Sequence, residues 1–206
     1  MSLCITGGAG FVGSSLARRY RAQYSDRRIV AFDNLKRRGA ELNLADFKAL
    51  DIEFVHGDVR VAGDLASVPG EFELLIDASA EPSAHAGADG APDYLVDTNL
   101  GGTLNCLEWA RQRSSALLFL STSRVYALPA LRGLPLKEEE TRLSVDTDQP
   151  LPAGLSANGI GEAFDTSRHR SLYGATKLAS ELFIQEYCAT YGLKALINRC
   201  GVIAGP

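Results

Sequence analysis

Short apolar runs alternate along this chain with longer segments of helical periodicity, and this alternation restricts the fold more than any other feature. The apolar runs are hydrophobic on both side-chain parities, as strands covered on two faces should be. They lie at Leu3–Thr6, Arg28–Phe32, Ile52–Val55, Glu73–Asp77, Ala116–Ser121 and Leu193–Arg199. Helical patterns lie between them, at about Phe11–Tyr24, Ala40–Ala49, Thr98–Arg113 and Ser171–Tyr191. This α/β alternation with short connections predicts a Rossmann-type, doubly wound parallel sheet.

One connection departs from this rhythm. Residues 127–170 show no clear periodicity and are rich in Pro, Gly, Asp and Glu. A structureless stretch well beyond about 15 residues inside a compact domain is usually either a functional loop or a segment whose elements have not been recognised. We therefore expect a long active-site loop that faces the substrate, with a plain surface excursion as the alternative.

The charge and apolar patterns exclude several classes of partner. The 206-residue chain has 21 basic and 25 acidic side chains, a net charge of −4, so neither nucleic acid nor an anionic membrane is an expected partner. No apolar run approaches the roughly 20 residues of a membrane span. The first strand begins almost at once, which leaves no room for a signal peptide and predicts a cytoplasmic protein.

Four cysteines and three histidines are scattered along the chain, so we expect buried, reduced cysteines and no metal site.

A glycine-rich turn joins the first predicted strand to the first predicted helix. It reads Thr6-Gly7-Gly8-Ala9-Gly10-Phe11-Val12-Gly13, with glycines spaced as GxxGxxG. Glycines let the turn bend tightly and let a pyrophosphate approach the main chain, and the helix N-terminus adds free N–H groups. The strand–turn–helix context therefore predicts a dinucleotide held by Gly7, Gly10, Phe11, Val12 and Gly13.

An acidic residue at the end of the second strand indicates which dinucleotide is bound. Asp33 is placed to accept hydrogen bonds from the adenosine ribose and to repel a 2′-phosphate, so NAD is the predicted cofactor. Lys36-Arg37-Arg38 leaves NADP as the alternative, because such a cluster can hold that phosphate. Gly57-Asp58-Val59, after the third strand, is placed to flank the adenine, although Asp58 alone is equally typical of a helix cap.

A tyrosine and a lysine four residues apart suggest the chemistry. Tyr173 and Lys177 project from one face of the last predicted helix. A free tyrosine has a pKa near 10, and a nearby cation favours the phenolate, which makes tyrosine a usable base. Thr122 ends the fifth strand at the carboxyl edge, where such sheets bind ligands. It is predicted to orient a substrate hydroxyl toward Tyr173, with a strand-end cap as the alternative.

Together these segments resemble the extended short-chain dehydrogenase/reductase superfamily, the NAD-dependent nucleotide-sugar epimerases and dehydratases. The resemblance implies that Thr122, Tyr173 and Lys177 form the catalytic set and that Lys177 also holds the nicotinamide ribose. The family's usual His-Leu-Ala after the fourth strand is replaced here by Asp77-Ala78-Ser79-Ala80-Glu81. Further cofactor-side residues implied by the resemblance are Asn34, Asp58, Val59, Ala78, Ala80 and Asn99.

Finer details resemble the CDP-paratose (CDP-tyvelose) 2-epimerases within that superfamily. The segments that carry this likeness are residues 32–39, 54–60, 99–105 and 121–126. The 4,6-dehydratases carry an Asp-Glu pair directly after the catalytic threonine, whereas this chain has Ser123 and Arg124. The resemblance thus implies an epimerase that acts on a nucleotide sugar, expected to be a CDP-sugar, through a transient keto-sugar. A dehydrogenase or reductase that releases NADH and a non-catalytic NAD-binding module are the alternatives.

The same resemblance bears on domain organisation and assembly. Relatives continue past the segment that matches Gly205-Pro206 into a substrate-binding lobe. Residues 1–206 are therefore expected to form the NAD-binding domain, with the C-terminal lobe missing. Relatives also pair as two-fold dimers through the helices that match Thr98–Arg113 and Ser171–Tyr191, which implies a homodimer.

Overall fold

A computed structural model describes residues 2–83 and 92–205 of the chain. Strands and helices alternate in the following order: β1 (Leu3–Thr6), α1 (Phe11–Gln23), β2 (Ile29–Asp33), α2 (Asn43–Ala49), β3 (Glu53–His56), α3 (Ala62–Ala66), β4 (Leu74–Asp77), α4 (Asp93–Val96), α5 (Gly102–Gln112), β5 (Ala116–Thr122), α6 (Leu128–Arg132), β6 (Leu136–Glu138), β7 (Leu143–Val145), β8 (Leu155–Ser156), β9 (Gly159–Ile160), α7 (Leu172–Tyr191) and β10 (Ala195–Cys200). Every predicted strand is confirmed within two residues at each end.

The main sheet is parallel and has the order β3-β2-β1-β4-β5-β10. β1 lies at its centre, where Ile5 is opposite Ala31 of β2 on one side and Ile76 of β4 on the other. The chain thus runs outward from β1 in one direction and then returns to continue in the other. This is the doubly wound Rossmann order that the alternation predicted, and it opens a crevice at the carboxyl end of β1.

Each face of the sheet carries its own hydrophobic core. One core includes Phe32, Leu75, Phe119 and Ile184, together with Trp109 of α5, so α3, α5 and α7 cover this face. The opposite core is covered by α1 and α2 and includes Leu3, Ile5, Ala17, Ile29, Ala31, Phe47 and Ile76. Burial on both faces explains why the strands read as continuous apolar runs rather than alternating ones.

Two helical predictions needed adjustment. The segment Ala40–Ala49 begins as a tight 3-10 turn at Ala40–Leu42 before α2. The segment Thr98–Arg113 begins with a π-helical turn at Asp97–Gly101 that joins α4 to α5. Such single π turns are uncommon and concentrate at functional sites, because the extra residue changes where side chains point. The short helix α3 had no periodic signal and was missed.

The long connection between β5 and α7 is the clearest correction. Residues 127–170 were expected to lack structure, but they form helix α6 and the antiparallel pairs β6–β7 and β8–β9. Their elements are two to five residues long, too short for periodicity to reveal. A small cluster of Val125, Tyr126, Leu155 and Phe164 packs this segment onto the end of β5.

The cysteines are all free, and two of them lie in the core as predicted. Cys4 and Cys106 are buried, and burial raises the pKa of the Cys4 thiol to about 12. Cys188 and Cys200 are only half-buried, which corrects the expectation for those two. No helix among the described residues has the length and hydrophobicity needed to cross a membrane.

Candidate active site

A pocket lies in the crevice at the carboxyl end of β1. Seven residues predicted to bind the cofactor line it, namely Gly7, Gly10, Asp33, Asn34, Val59, Ala78 and Ala80. Lys36, Arg37 and Gly57, which the sequence placed near the adenosine, line it as well. Phe32, Ser79, Glu81, Tyr94 and Thr98 complete the lining and were missed. Tyr94 and Thr98 come from α4 and the π turn, which no pattern connected with the glycine turn.

The glycine turn leaves the N-terminus of α1 open toward this pocket. Gly10 is the N-cap residue, so no side chain caps the helix, and its first turn has no acidic residue. The helix N-terminus therefore offers free N–H groups and the positive end of its dipole. Gly13 packs so closely on the turn that a Cβ there would collide with the carbonyl oxygen of Gly7. Phe11 and Val12 follow in the first turn of α1 and do not line the pocket.

Asp33 is fixed at the end of β2 by the main chain. The N–H of Ala9 donates to its Oδ2 at 3.1 Å, and the N–H of Leu35 donates to its Oδ1 at 2.8 Å. Each oxygen keeps a lone pair for a further donor, as a ribose hydroxyl would require. Lys36 lies beside it with Nζ 3.1 Å from the centroid of the Tyr94 ring, so this lysine is engaged in a cation–π contact.

Asp58 is held in a network at the neighbouring strand end. Its carboxylate accepts hydrogen bonds from the Arg60 side chain, at 2.7 and 3.0 Å, and from Nδ2 of Asn34 at 2.9 Å. The Arg60 guanidinium, above all, holds the pKa of this carboxyl well below its usual range. Asp58 therefore positions Asn34, which lines the pocket, and does not line the pocket itself.

Asn99 supports the wall of the pocket from behind. Its side chain is fully buried; Oδ1 accepts from the N–H of Glu81 at 2.8 Å, and Nδ2 donates to the Glu81 carbonyl and to Thr176. It thus joins the loop after β4 to helix α7 rather than lining the pocket. Its neighbour Thr98 does line the pocket, and its buried Oγ1 has no hydrogen-bond partner among the described residues.

Thr122 and Tyr173 meet at the carboxyl end of β5. Ser171 caps α7 by accepting from the N–H of Gly174 at 3.1 Å, which fixes the start of this helix. A Cβ on Gly174 would collide with the carbonyl oxygen of Arg124, so glycine lets α7 touch the turn after β5. This approach places the half-buried Tyr173 next to Thr122, whose hydroxyl lowers the pKa of the phenol. The sequence had predicted only that Thr122 orients a substrate hydroxyl toward Tyr173.

The electrostatics of Tyr173 differ from the expectation. Burial raises its pKa, and the hydrogen bond to Thr122 and the charge of Arg124 oppose that rise. Lys177 was expected to lower this pKa, but its ammonium points into the core beside β5. Its Nζ donates to the Leu120 carbonyl at 3.0 Å and lies 4.5 Å from the centroid of the Phe119 ring. A buried ammonium requires such acceptors, and they lie on the sheet rather than at the phenol.

A buried charged cluster under the same strand end was not predicted. Glu181 of α7 is 1% exposed and accepts from Oγ of Ser121 at 2.5 Å and from the Arg199 guanidinium at 2.7 and 3.1 Å. The pairing raises the pKa of Arg199. Arg199 also donates to the Glu162 carbonyl at 3.0 Å and so reaches the long connection. The one sequence signal for this cluster is that Glu181 follows Lys177 by four residues, as Lys177 follows Tyr173, so all three lie on one helix face.

The described residues fit a dinucleotide. The open N-terminus of α1, the glycine cradle, the fixed carboxylate of Asp33 and the unpartnered Thr98 hydroxyl all border one pocket. Thr122 and Tyr173 follow on the same carboxyl edge of the sheet. By contrast, no group of three His, Cys, Asp or Glu side chains within residues 2–83 and 92–205 is arranged to hold a metal ion.

Comparison with known proteins agrees with this arrangement. The sequence profile of the NAD dependent epimerase/dehydratase family matches residues 3–206. A CDP-paratose 2-epimerase from Salmonella typhi is 34% identical over 97% of this chain and 56% of its own length. A dTDP-glucose 4,6-dehydratase from Mycobacterium tuberculosis is 27% identical over all of this chain and 54% of its own length. The chain thus spans about half the length of the curated relatives it matches.

Solved structures give the same result. A dTDP-glucose 4,6-dehydratase from Streptomyces venezuelae, solved with NAD bound, superposes with a TM-score of 0.70 at 30% identity. The match covers 97% of this chain and 55% of that protein. A UDP-glucose 4-epimerase from Thermus thermophilus in complex with NAD gives a TM-score of 0.67 at 25% identity, over 97% and 54% of the two chains.

Gly13→Ala tests the glycine cradle. The added methyl group collides with the Gly7 carbonyl and forces the turn away from α1, so NAD affinity should fall at least about tenfold in calorimetric titration, or about 1.4 kcal/mol. Gly63→Ala is the matched control, because a Cβ at this helical position meets nothing within 4 Å. Equal NAD affinities in the two variants would contradict this account of the turn.

Thr122→Val tests the electrostatics of Tyr173. The hydrogen bond that holds the tyrosine pKa down is lost while burial remains, so the pKa of Tyr173 should rise further. The phenol would then ionise only at higher pH. Ultraviolet difference titration against Tyr173→Phe isolates this one phenol, and Thr122→Ser, which retains the hydroxyl, should titrate like the wild type. A Thr122→Val midpoint at or below that of the wild type would show that the hydrogen bond does not act on the phenol.

Proposed function

Since the chain belongs to the NAD dependent epimerase/dehydratase family, we propose that the whole protein is an NAD-dependent nucleotide-sugar epimerase similar to the CDP-paratose 2-epimerases. The observation that carries the proposal is the placement of Thr122 and Tyr173 next to each other at the carboxyl edge of the sheet that also forms the dinucleotide pocket. NAD bound in this pocket would take a hydride from a sugar carbon and return it to the opposite face.

Tyr173 is the residue that would move the proton. In this proposal its phenolate oxygen accepts the proton of a substrate hydroxyl, and the Thr122 hydroxyl holds that substrate oxygen in line. Because burial raises the pKa of Tyr173, the base form is scarce at neutral pH, and Arg124 is the nearby cation that opposes this rise. Activity should therefore increase as the pH rises toward the pKa of the phenol.

Lys177 is the residue proposed to hold the nicotinamide ribose. Its ammonium has three N–H donors, and one of them donates to the Leu120 carbonyl. Because the ammonium is buried in the core beside β5, binding of the ribose requires it to turn from the Phe119 ring toward the crevice. Gly7, Gly10, Phe11, Val12 and Gly13 would hold the pyrophosphate, while Asp33 would take the adenosine ribose. Asn34, Val59, Ala78 and Ala80 would border the adenosine, with Asp58 and Asn99 supporting them from behind.

Dehydration is the rival reaction, because relatives with that name are also similar to this chain. Removal of water needs an acid–base pair beside the reacting carbons. The two residues after Thr122 are Ser123 and Arg124, neither of which is a carboxylic acid. This composition favours epimerisation over elimination.

Incubation of the full-length protein with NAD and CDP-paratose tests the proposal. We expect a product of unchanged mass with one inverted carbon, visible by NMR, and no accumulation of NADH. A product lighter by one water would identify a dehydratase, accumulated NADH a dehydrogenase, and NAD binding without turnover a non-catalytic module. Tyr173→Phe should reduce turnover by at least about a hundredfold while NAD affinity is retained, since general-base catalysis contributes that much.

We further propose that the protein forms a homodimer through α7. Leu182 and Phe183 are 56% and 43% exposed on this helix, whereas Leu178 is half-buried against the Tyr126 cluster. Phe183→Asp should halve the mass measured by sedimentation equilibrium, because a charge would be buried at the interface. Leu143→Asp, at a 64% exposed leucine outside α7, should leave the mass unchanged. A monomeric mass for the wild-type protein in the same experiment would contradict this proposal.

A further inference from the structure

The core below the site contains a carboxylate that the proposed reaction does not use. Asp77 ends β4 and is fully buried. Its Oδ1 accepts from Oγ1 of Thr6 at 2.9 Å and from Oγ of Ser79 at 2.7 Å, while Oδ2 accepts from Oγ1 of Thr103 at 2.8 Å. The N–H of Ser79 also donates to Oδ1 at 3.3 Å, and all of these donors are neutral groups. A fully buried carboxylate is costly without a compensating charge, so the local environment calls for a cation.

Lys177 lies on the same face of the same two strands. Asp77 pairs directly with Phe119 across the β4–β5 ladder, so their side chains leave the sheet on one side. The Lys177 ammonium is 4.5 Å from the centroid of that Phe119 ring. Oγ1 of Thr103 of α5, which donates to Asp77, also lies 2.9 Å from the Asn99 carbonyl oxygen, and Oγ of Ser180 of α7 lies 3.3 Å from the same oxygen. Both helices therefore cover this part of the sheet.

We propose that Asp77 is a positioning residue whose buried carboxylate supplies the counter-charge that keeps Lys177 protonated under the carboxyl edge of the sheet. Lys177 is 2% exposed and has one neutral acceptor, the Leu120 carbonyl, among its described hydrogen bonds. The significance of this pair for cofactor binding rests on the proposed function, but the pair itself does not.

Other groups near Lys177 are less suited to this role. Burial lowers the pKa of Lys177, and the charge of Asp77 is the largest opposing influence, ahead of Cys106 of α5, Cys200 of β10 and Glu181 of α7. Cys106 is held neutral, because burial raises the pKa of its thiol well above its usual value. Glu181 is already paired with Arg199 at 2.7 Å. Asp77 is therefore the charge that matters.

A double-mutant cycle in the full chain tests this pairing without cofactor or substrate. Asp77→Asn preserves shape but removes charge, and Lys177→Met preserves most of the stem. Each single change leaves one buried group without its counter-charge, whereas the double variant removes both. Urea unfolding at neutral pH should show the double variant at least about tenfold more stable, in its unfolding equilibrium constant, than the sum of the single effects predicts.

A second cycle serves as the control. Glu181→Gln with Lys177→Met should give additive effects, because Glu181 is neutralised by Arg199. If Asp77→Asn alone does not fold, Asp77→Asn/Lys177→Met should still fold. Additive effects in the first cycle, or a double variant that also fails to fold, would overturn the proposal.

The titration of Lys177 separates a charge effect from a packing effect. In protein carrying ¹⁵N-labelled lysine, the Nζ resonance assigned by its loss in Lys177→Met should titrate at lower pH in Asp77→Asn than in wild type. Glu181→Gln should shift it less. An unchanged midpoint in Asp77→Asn counts against the proposal whatever the enzyme's activity, so its failure is distinguishable from failure of the proposed function.

Discussion

The position of β1 between β2 and β4 governs the rest of this structure. Both neighbours run parallel to it, and the register sets Thr6 opposite Phe32 on one side and Asp77 on the other. The residues that follow these three strand ends therefore converge on one edge. The glycine turn, the carboxylate of Asp33 and residues 78–81 border the same pocket for this reason. Any change in this register would separate them.

Much of this arrangement could be predicted from the sequence, because it follows from periodicity and spacing. The apolar runs located the strands, and the strand order places Gly7 and Asp33 together at adjacent strand ends. Thr122 and Tyr173 were likewise predictable, since a strand end and a helix start share the carboxyl edge. Residues that contact one another only through tertiary packing could not be found in this way, and Tyr94 and Thr98 are the clearest cases.

The direction of the Lys177 side chain could not be predicted from its spacing to Tyr173. A four-residue separation places two side chains on one helix face, but it does not bring their terminal polar groups into contact. Lys177 is long, and the apolar ring of Phe119 and the Leu120 carbonyl lie under it, so it extends along the helix face into the core. Tyr173 instead reaches Thr122 at the edge. One helix face thus serves two environments, one buried and one open to the crevice.

Glu181 and Arg199 connect the buried face of α7 to residues 127–170. Glu181 lies one turn beyond Lys177 and binds both Ser121, directly before Thr122, and Arg199 of β10. Arg199 in turn binds the Glu162 carbonyl, and Tyr126 packs edge-on against Phe164 at 5.7 Å between ring centroids. Residues 127–170 are therefore attached near the end of β5 by a hydrogen bond to Arg199 and by the packing of Phe164 on Tyr126. This segment is thus joined by polar and apolar contacts to the structure around the end of β5, whereas none of its residues lines the pocket at the end of β1.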